Sequence, residues 1–297
     1  MTLFETLAAA RHQLIAAGIP AEEAAIDVPL FACTILGWDR AHLIAARSQE
    51  TPPALEPRFS DWIARRVAHE PAAYIVGHRE FWGLDFIVSP AVLIPRPETE
   101  LIVEEAVDIV RLRGFAAMAR QVHVGAIDTL RMADIGTGSG NLAVSLAHEI
   151  HGSGITATDI SRDAIAIARQ NAQRHDVDDR IEFVETAFLD GIDDVFDLIV
   201  ANPPYVKATD RTALAPAVLH EPAGALFAGE RGLDAISGVL DAAARTLASN
   251  GWLLMEFGFG QEEDIHSLVG QRPALRLERI RNDLQGIPRT AIIQRGR

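Results

Sequence analysis

From Arg131 onward, short apolar segments alternate with amphipathic ones, and the first joint between them is Asp134-Ile135-Gly136-Thr137-Gly138-Ser139-Gly140. This alternation is the strongest constraint on the fold. Parallel strands need a crossover between them, and the crossover is usually a helix. Strand patterns fall at Met132 to Ile135, Ile155 to Thr158, Ile181 to Val184, Phe196 to Ala201, Trp252 to Phe257, Leu275 to Ile280 and Thr290 to Ile293. Helical patterns span Asn141 to Ile150, Ser161 to Arg174 and Gly232 to Ala248, the last closing at Asn250-Gly251. The expectation is an α/β fold with a doubly wound, mostly parallel sheet that binds ligands at the carboxyl ends of its strands.

The glycine joint sits at such an end. Glycines allow a sharp turn and a close approach of ligand to backbone. Asp159 ends the next strand, about 20 residues on, where an acid can take both hydroxyls of a ribose. Loop and acid together indicate an adenosine-containing cofactor. The spacing is G-x-G-x-G, one residue shorter than the dinucleotide pattern. Asp134, just before it, would oppose a pyrophosphate but attract an ammonium group. No G-x-x-x-x-G-K-[ST] loop is present. These features favour S-adenosylmethionine over NAD, with Asp134, Gly136, Thr137, Gly138, Ser139, Gly140 and Asp159 as candidate cofactor residues. The competing reading makes Asp134 a strand-end cap and Asp159 a helix-start residue beside Ser161.

A second motif, Asn202-Pro203-Pro204-Tyr205, follows the apolar run Phe196 to Ala201. Proline fixes its own φ and restricts the residue before it, so Asn202 and Pro203 are held extended. The Asn202 side-chain oxygen and the Pro203 carbonyl can each accept a hydrogen bond. Such a notch suits a planar group with two N–H donors, a primary amide or an exocyclic amine, with Tyr205 covering its face. The motif alone does not separate amide from adenine, and a proline-rich turn is the plain alternative.

The region before residue 72 reads as helical. Thr2 to Ala17 stops at Gly18, and Pro20 opens a segment reaching Leu36-Gly37 that Pro29 should bend or break. Phe59, Trp62, Ile63 and Val67 share one helical face. The expected organisation is a helical recognition domain over 1–71, a β-hairpin linker over 72–95 and the catalytic domain over 96–297. Gly114 to Leu130 is expected to be a loop or an extra helix. Pro97, Glu98 and Glu100 suit the start of a helix running toward Val110.

The 297 residues suffice for about two domains. A single cysteine, Cys33, excludes an internal disulfide and a cysteine-based zinc cage. No metal is expected. The N-terminus has no basic segment and no apolar run is long enough to span a membrane, so a cytoplasmic protein is expected. Net charge is −14 and Lys207 is the single lysine, which weighs against direct nucleic-acid binding.

With these residues in hand, the chain resembles the HemK-type glutamine methyltransferases. The resemblance rests on Glu70-Pro71 with Tyr74 and Gly77, on Arg79 to Gly83 and on Val88-Ser89-Pro90. It continues through Leu93-Ile94-Pro95-Arg96-Pro97-Glu98-Thr99-Glu100, the glycine loop and the Asn202 motif, to Glu221-Pro222, Ala225-Leu226 and Asp283 to Arg289. It implies a class I S-adenosylmethionine-dependent methyltransferase acting on the N5 of a protein glutamine. The implied acceptor is the Gly-Gly-Gln glutamine of peptide chain release factors, gripped in part by the N-terminal helical domain. It assigns Gly136 to Gly140 and Asp159 to the cofactor, Phe188 to the adenine, and Asn202, Pro203, Pro204 and Tyr205 to the acceptor glutamine. Asn202, Pro203 and Tyr205 are the catalytic candidates, with Asn202 also beside the cofactor. One position departs: Ala187 stands where the family often has Asp. The roles of Glu98, Glu100, Glu221, Arg79 and Arg289 stay open. Alternatives are a ribosomal-protein glutamine methyltransferase, an adenine-N6 nucleic-acid methyltransferase and a noncatalytic binding module.

Overall fold

The structure is a computed structural model that describes residues 1–112 and 130–296. The expected loop or helix over 114–130 lies outside the described residues, apart from Leu130. The chain divides into two compact units, one of Met1–His78 with Ala215–His220 and one of Arg79–Leu214 with Glu221–Arg297.

The first unit is helical. Helix α1 (Leu3–Ala16) opens with a capping box in which Thr2 and Glu5 satisfy each other's backbone amides. Helices α2 (Ala21–Leu36), α3 (Arg40–Ala45) and α4 (Arg58–Val67) follow. Their core joins Leu3, Leu14, Phe31, Phe59 and Trp62, with the Phe31 and Trp62 rings edge-on at 5.5 Å. Arg66, 3% exposed, is paired with Asp27 at 2.7 Å and Glu23 at 2.6 Å, so its charge is buried with partners. Helix α2 runs through Pro29 rather than breaking there. The proline forfeits one backbone bond, while Val28, Phe31 and Ala32 hold the helix by burial.

The segment expected to be all hairpin begins instead with a short helix, α5 (Ala72–Val76). Pro71 leads into it and Gly77, at φ 86°, ends it by donating to Ala73 O at 2.7 Å. Tyr74, Ile75 and Val76 are good strand formers, but burial of Tyr74 and Ile75 overrides that preference. The hairpin itself is β1 (His78–Phe81) and β2 (Leu84–Ile87), turned by Trp82 and Gly83, both at positive φ.

In the second unit, seven strands form one sheet: β3 (Leu130–Ile135), β4 (Ser153–Asp159), β5 (Ile181–Glu185), β6 (Phe196–Ala201), β7 (Leu247–Glu256), β8 (Leu275–Asn282) and β9 (Pro288–Arg295). Their order is β5-β4-β3-β6-β7-β9-β8, parallel except for β9. The order reverses between β3 and β6, and doubly wound sheets bind ligands at such a switch point. Side chains alternate between two cores. Leu198, Val200, Trp252 and Leu254 face one, with α6 (Glu100–Leu112), α7 (Asn141–Glu149) and α8 (Arg162–Arg174). Ile199, Ala201, Leu253 and Met255 face the other, with α10 (Asp234–Thr246) and α11 (Glu262–Gly270); the short α9 (Ala223–Leu226) precedes α10. Strand β7 starts earlier than expected. Asn250-Gly251 lies inside it, with Asn250 at φ 64° and a register shift opposite Phe196 and Leu198.

Candidate active site

The glycine loop leaves β3 and enters α7. Gly136, Gly138 and Gly140 all have positive φ, at 74°, 54° and 81°. Gly136 and Thr137 both donate backbone N–H to Thr158 O at 2.8 Å, which ties the loop to β4. A Cβ on Gly136 would meet no atom within 4 Å, and one on Gly138 only Gly136 O at 4.0 Å. The space beside the loop is therefore open. Gly140 differs: a Cβ there would lie 3.1 Å from Ala168 Cβ, so it permits α7 and α8 to pack closely.

Asp159 closes the loop from the neighbouring strand. Its Oδ2 accepts Gly138 N–H at 3.0 Å and its Oδ1 accepts Ser161 N–H at 2.8 Å. Each oxygen keeps a further lone pair for a ligand hydroxyl. Asp134 is placed differently from the expectation. It is fully buried and does not line the cavity. Its Oδ2 accepts from Thr137 Oγ1 at 2.6 Å and Ala143 N–H at 3.2 Å, while Oδ1 is buried with no partner. Burial pushes its carboxyl up to about 7, against the pull of the Thr137 and Ala143 hydrogen bonds.

Between loop and sheet lies a cavity of about 390 Å³, a size suited to a small-molecule ligand. Gly136, Gly138, Asp159, Phe188, Asn202 and Pro203 all line it, as do Thr137, Ser139, Ala187 and Pro204. Most of the expected residues are thus brought together on one wall system. Phe188 takes φ 50°, and its carbonyl accepts from Thr158 Oγ1 at 2.6 Å. Gly238 of α10 makes room for its ring, since a Cβ there would come within 2.1 Å of Phe188 Cζ. A glycine inside a helix is the available sequence signal for this contact.

Asn202 directly follows β6, and Glu256 ends the adjacent β7. The Asn202 Nδ2 donates to Thr99 Oγ1 at 2.9 Å, Thr99 Oγ1 donates to Glu256 Oε2 at 2.6 Å, and Tyr205 OH donates to Glu256 Oε1 at 3.0 Å. Thr99 and Glu256 are each 1% exposed. Burial raises the Glu256 carboxyl above its ordinary range, although the Thr99 and Tyr205 hydrogen bonds and Arg289 oppose the rise. Burial and the charge of Glu256 hold the Tyr205 phenol well above its ordinary value, so it stays a donor. Tyr205 does not line the cavity. Its hydroxyl is drawn to the buried carboxylate, so it braces Glu256. Glu256 carries no motif signal of its own. Thr99 stands in the Ile94 to Glu100 run, and Glu256 would read as a strand-end acid.

Glu221 accepts Ile94 N–H at 3.0 Å and pairs with Arg96, fastening the cavity-lining loop at Pro95 and Arg96. Glu100 accepts Trp82 N–H at 2.9 Å. Arg289 donates to Asp283 at 3.2 Å, and Arg79 is exposed. Among the described residues, no group of three or more His, Cys, Asp or Glu is placed to hold a metal ion. No helix there is long and apolar enough to cross a membrane.

The open cradle at Gly136 and Gly138, with the Asp159 carboxylate lining the cavity beside it, fits the nucleoside of S-adenosylmethionine. Two family models match the chain: "Methyltransferase small domain" over residues 116–231 and "PrmC N-terminal domain" over residues 5–77. The release factor glutamine methyltransferase of Bradyrhizobium diazoefficiens is 39% identical, over 90% of this chain and 87% of the relative. That of Koribacter versatilis is 36% identical, over 98% of both chains. Among solved structures, the hMettl16 catalytic domain in complex with MAT2A 3′UTR hairpin 1 superposes at a TM-score of 0.55 with 14% identity, covering 79% of this chain and 80% of that one, a likeness of fold. The class I methyltransferase sheet, the cofactor cradle and relatives matched along nearly their whole length lead to one conclusion: the chain belongs to the release factor glutamine methyltransferase family and is an S-adenosylmethionine-dependent methyltransferase.

Proposed function

We propose that this protein methylates the side-chain N5 of the Gly-Gly-Gln glutamine in peptide chain release factors. The observation that carries the reading is the Asn202 amide at the cavity wall. Its nitrogen is engaged by Thr99, which leaves Oδ1 as the group it offers. The Pro203 carbonyl follows in the same wall, and neither Pro203 nor Pro204 has an N–H to compete for an acceptor.

An amide nitrogen is a poor nucleophile because its lone pair is delocalised. When bound, S-adenosylmethionine supplies a methyl on a positively charged sulfur, an electrophile strong enough that no metal is required. The glycine loop and Asp159 hold the nucleoside, with Phe188 at the adenine. Ala187 supplies no acid toward the adenine N6. Asn202 Oδ1 and Pro203 O accept the two amide hydrogens, orient the nitrogen and raise its electron density as charge develops. The role of the helical segment 1–71 in this reading is to grip the protein substrate. The acidic charge and single lysine favour a protein over a nucleic acid as partner.

Labelled S-adenosylmethionine, offered with a release factor, its Gln-to-Ala variant and DNA in separate reactions, tests the reading. Label is expected on the intact factor alone, and a chelator leaves the yield unchanged. Label on DNA, or equal label on the variant, contradicts it.

A further inference from the structure

We infer that Thr99 and Glu256 are positioning residues that fix which way the Asn202 amide faces, and thereby make the site select an amide over a carboxylate; this rests on the glutamine reading above. The argument is a count of hydrogens. Glu256 receives one hydroxyl on each oxygen, from Thr99 at 2.6 Å and from Tyr205 at 3.0 Å, so it acts as the acceptor in both contacts. Thr99 has a single hydroxyl hydrogen, and Glu256 takes it. Toward Asn202, Thr99 therefore has lone pairs only.

Asn202 must then meet Thr99 with its NH2 group, at 2.9 Å. The amide oxygen is left for the opposite direction. Nothing local to Asn202 dictates this choice, because the two ends of an amide have nearly the same shape and differ only in their partners. The choice is set two residues away, by a carboxylate that does not line the cavity.

The chain of contacts is well placed to act as a fixed device. Thr99 lies at the end of the turn Pro97–Thr99, Asn202 just past β6 and Glu256 at the end of β7. Strands β6 and β7 run in register, with Ala201 beside Met255, so Asn202 and Glu256 leave the sheet side by side. Thr99 and Glu256 are each 1% exposed, which keeps water from competing for the Thr99 hydroxyl.

The consequence is chemical selectivity. A glutamine side chain presents two N–H donors to Asn202 Oδ1 and Pro203 O. A glutamate side chain presents only oxygen, which these two acceptors repel. Without the Thr99 hydroxyl, the Asn202 amide is free to turn and offer N–H to a carboxylate. Selectivity then falls, along with the fraction of enzyme able to orient glutamine.

The test compares the wild type, Thr99→Val and Thr99→Ser. Valine keeps the shape and removes the hydroxyl; serine returns it. Acceptor peptides carry Gly-Gly-Gln or Gly-Gly-Glu. Thr99→Val is expected to lower kcat about tenfold, the size of one hydrogen bond near 1.4 kcal/mol. Its preference for binding the Gln over the Glu peptide narrows by a similar factor, and thermal unfolding checks that it is folded. Thr99→Ser is expected to restore both. In the wild type without substrate, an NMR contact between the Asn202 Nδ2 hydrogens and the Thr99 methyl is expected. A Thr99→Val enzyme with wild-type kcat and wild-type peptide preference, or absence of that contact, overturns the inference. If the wild type instead methylates neither peptide nor factor, the glutamine reading fails, and the NMR contact still decides the orientation of Asn202.

Discussion

The Gly138 N–H donates to Asp159 Oδ2 at 3.0 Å, so the middle glycine of the loop and the acid that ends the next strand form one structural piece. Asp159 both braces the cradle and lines it. Replacing it loosens the loop and, in the proposed reading, also removes a contact to the cofactor.

Asp159→Ala is expected to weaken S-adenosylmethionine binding by roughly 10- to 100-fold, the range for losing one or two hydrogen bonds to a charged group. Isothermal calorimetry reads this directly. Unchanged affinity would remove Asp159 from the binding site.

Gly140→Ala should destabilise the second unit by about 1–3 kcal/mol. The new Cβ would lie 3.1 Å from Ala168 Cβ and 3.2 Å from its Cα, at a backbone φ of 81° that favours glycine. A lowered Tm in thermal unfolding checks it. Gly136→Ala keeps the strained φ but meets no neighbour, so its Tm should fall less.

Asp134 predicts a pH dependence. Its carboxyl is raised in the fold to about 7 from an ordinary value of 3.8, chiefly by burial. Between those values the folded chain holds a proton that the unfolded chain has released. The favourable contribution is therefore complete below about pH 4 and is lost as pH rises through about 7. Relative to Asp134→Asn, the wild type should lose stability from pH 5 to pH 8, measured by denaturant titration at each pH.

Legibility from sequence followed the reach of the interactions. The strand–helix alternation and the glycine loop are local patterns, and each reappears in the sheet and cradle. The helical start at Ala72 was hidden because Tyr74, Ile75 and Val76 prefer strands on their own. Helix α2 crosses Pro29 because burial outweighs one lost backbone bond. Asp134 and Tyr205 were legible as motif members but not in placement, since partners from other segments, Ala143 for one and Glu256 for the other, decide where each side chain turns. Thr99 and Glu256 are 157 positions apart and meet only after the sheet has formed. No window of sequence contains both.

The central claim, that the Asn202 amide oxygen orients the acceptor nitrogen, is tested most directly by single-turnover methyl transfer. Wild type and Asn202→Ala are compared at saturating S-adenosylmethionine and release factor, with cofactor affinity measured alongside. The predicted result is a rate loss of roughly 10²- to 10³-fold, as for removal of a preorganised polar group at a reacting centre, with cofactor affinity within about threefold of wild type. An Asn202→Ala enzyme that transfers methyl at the wild-type rate would contradict the account.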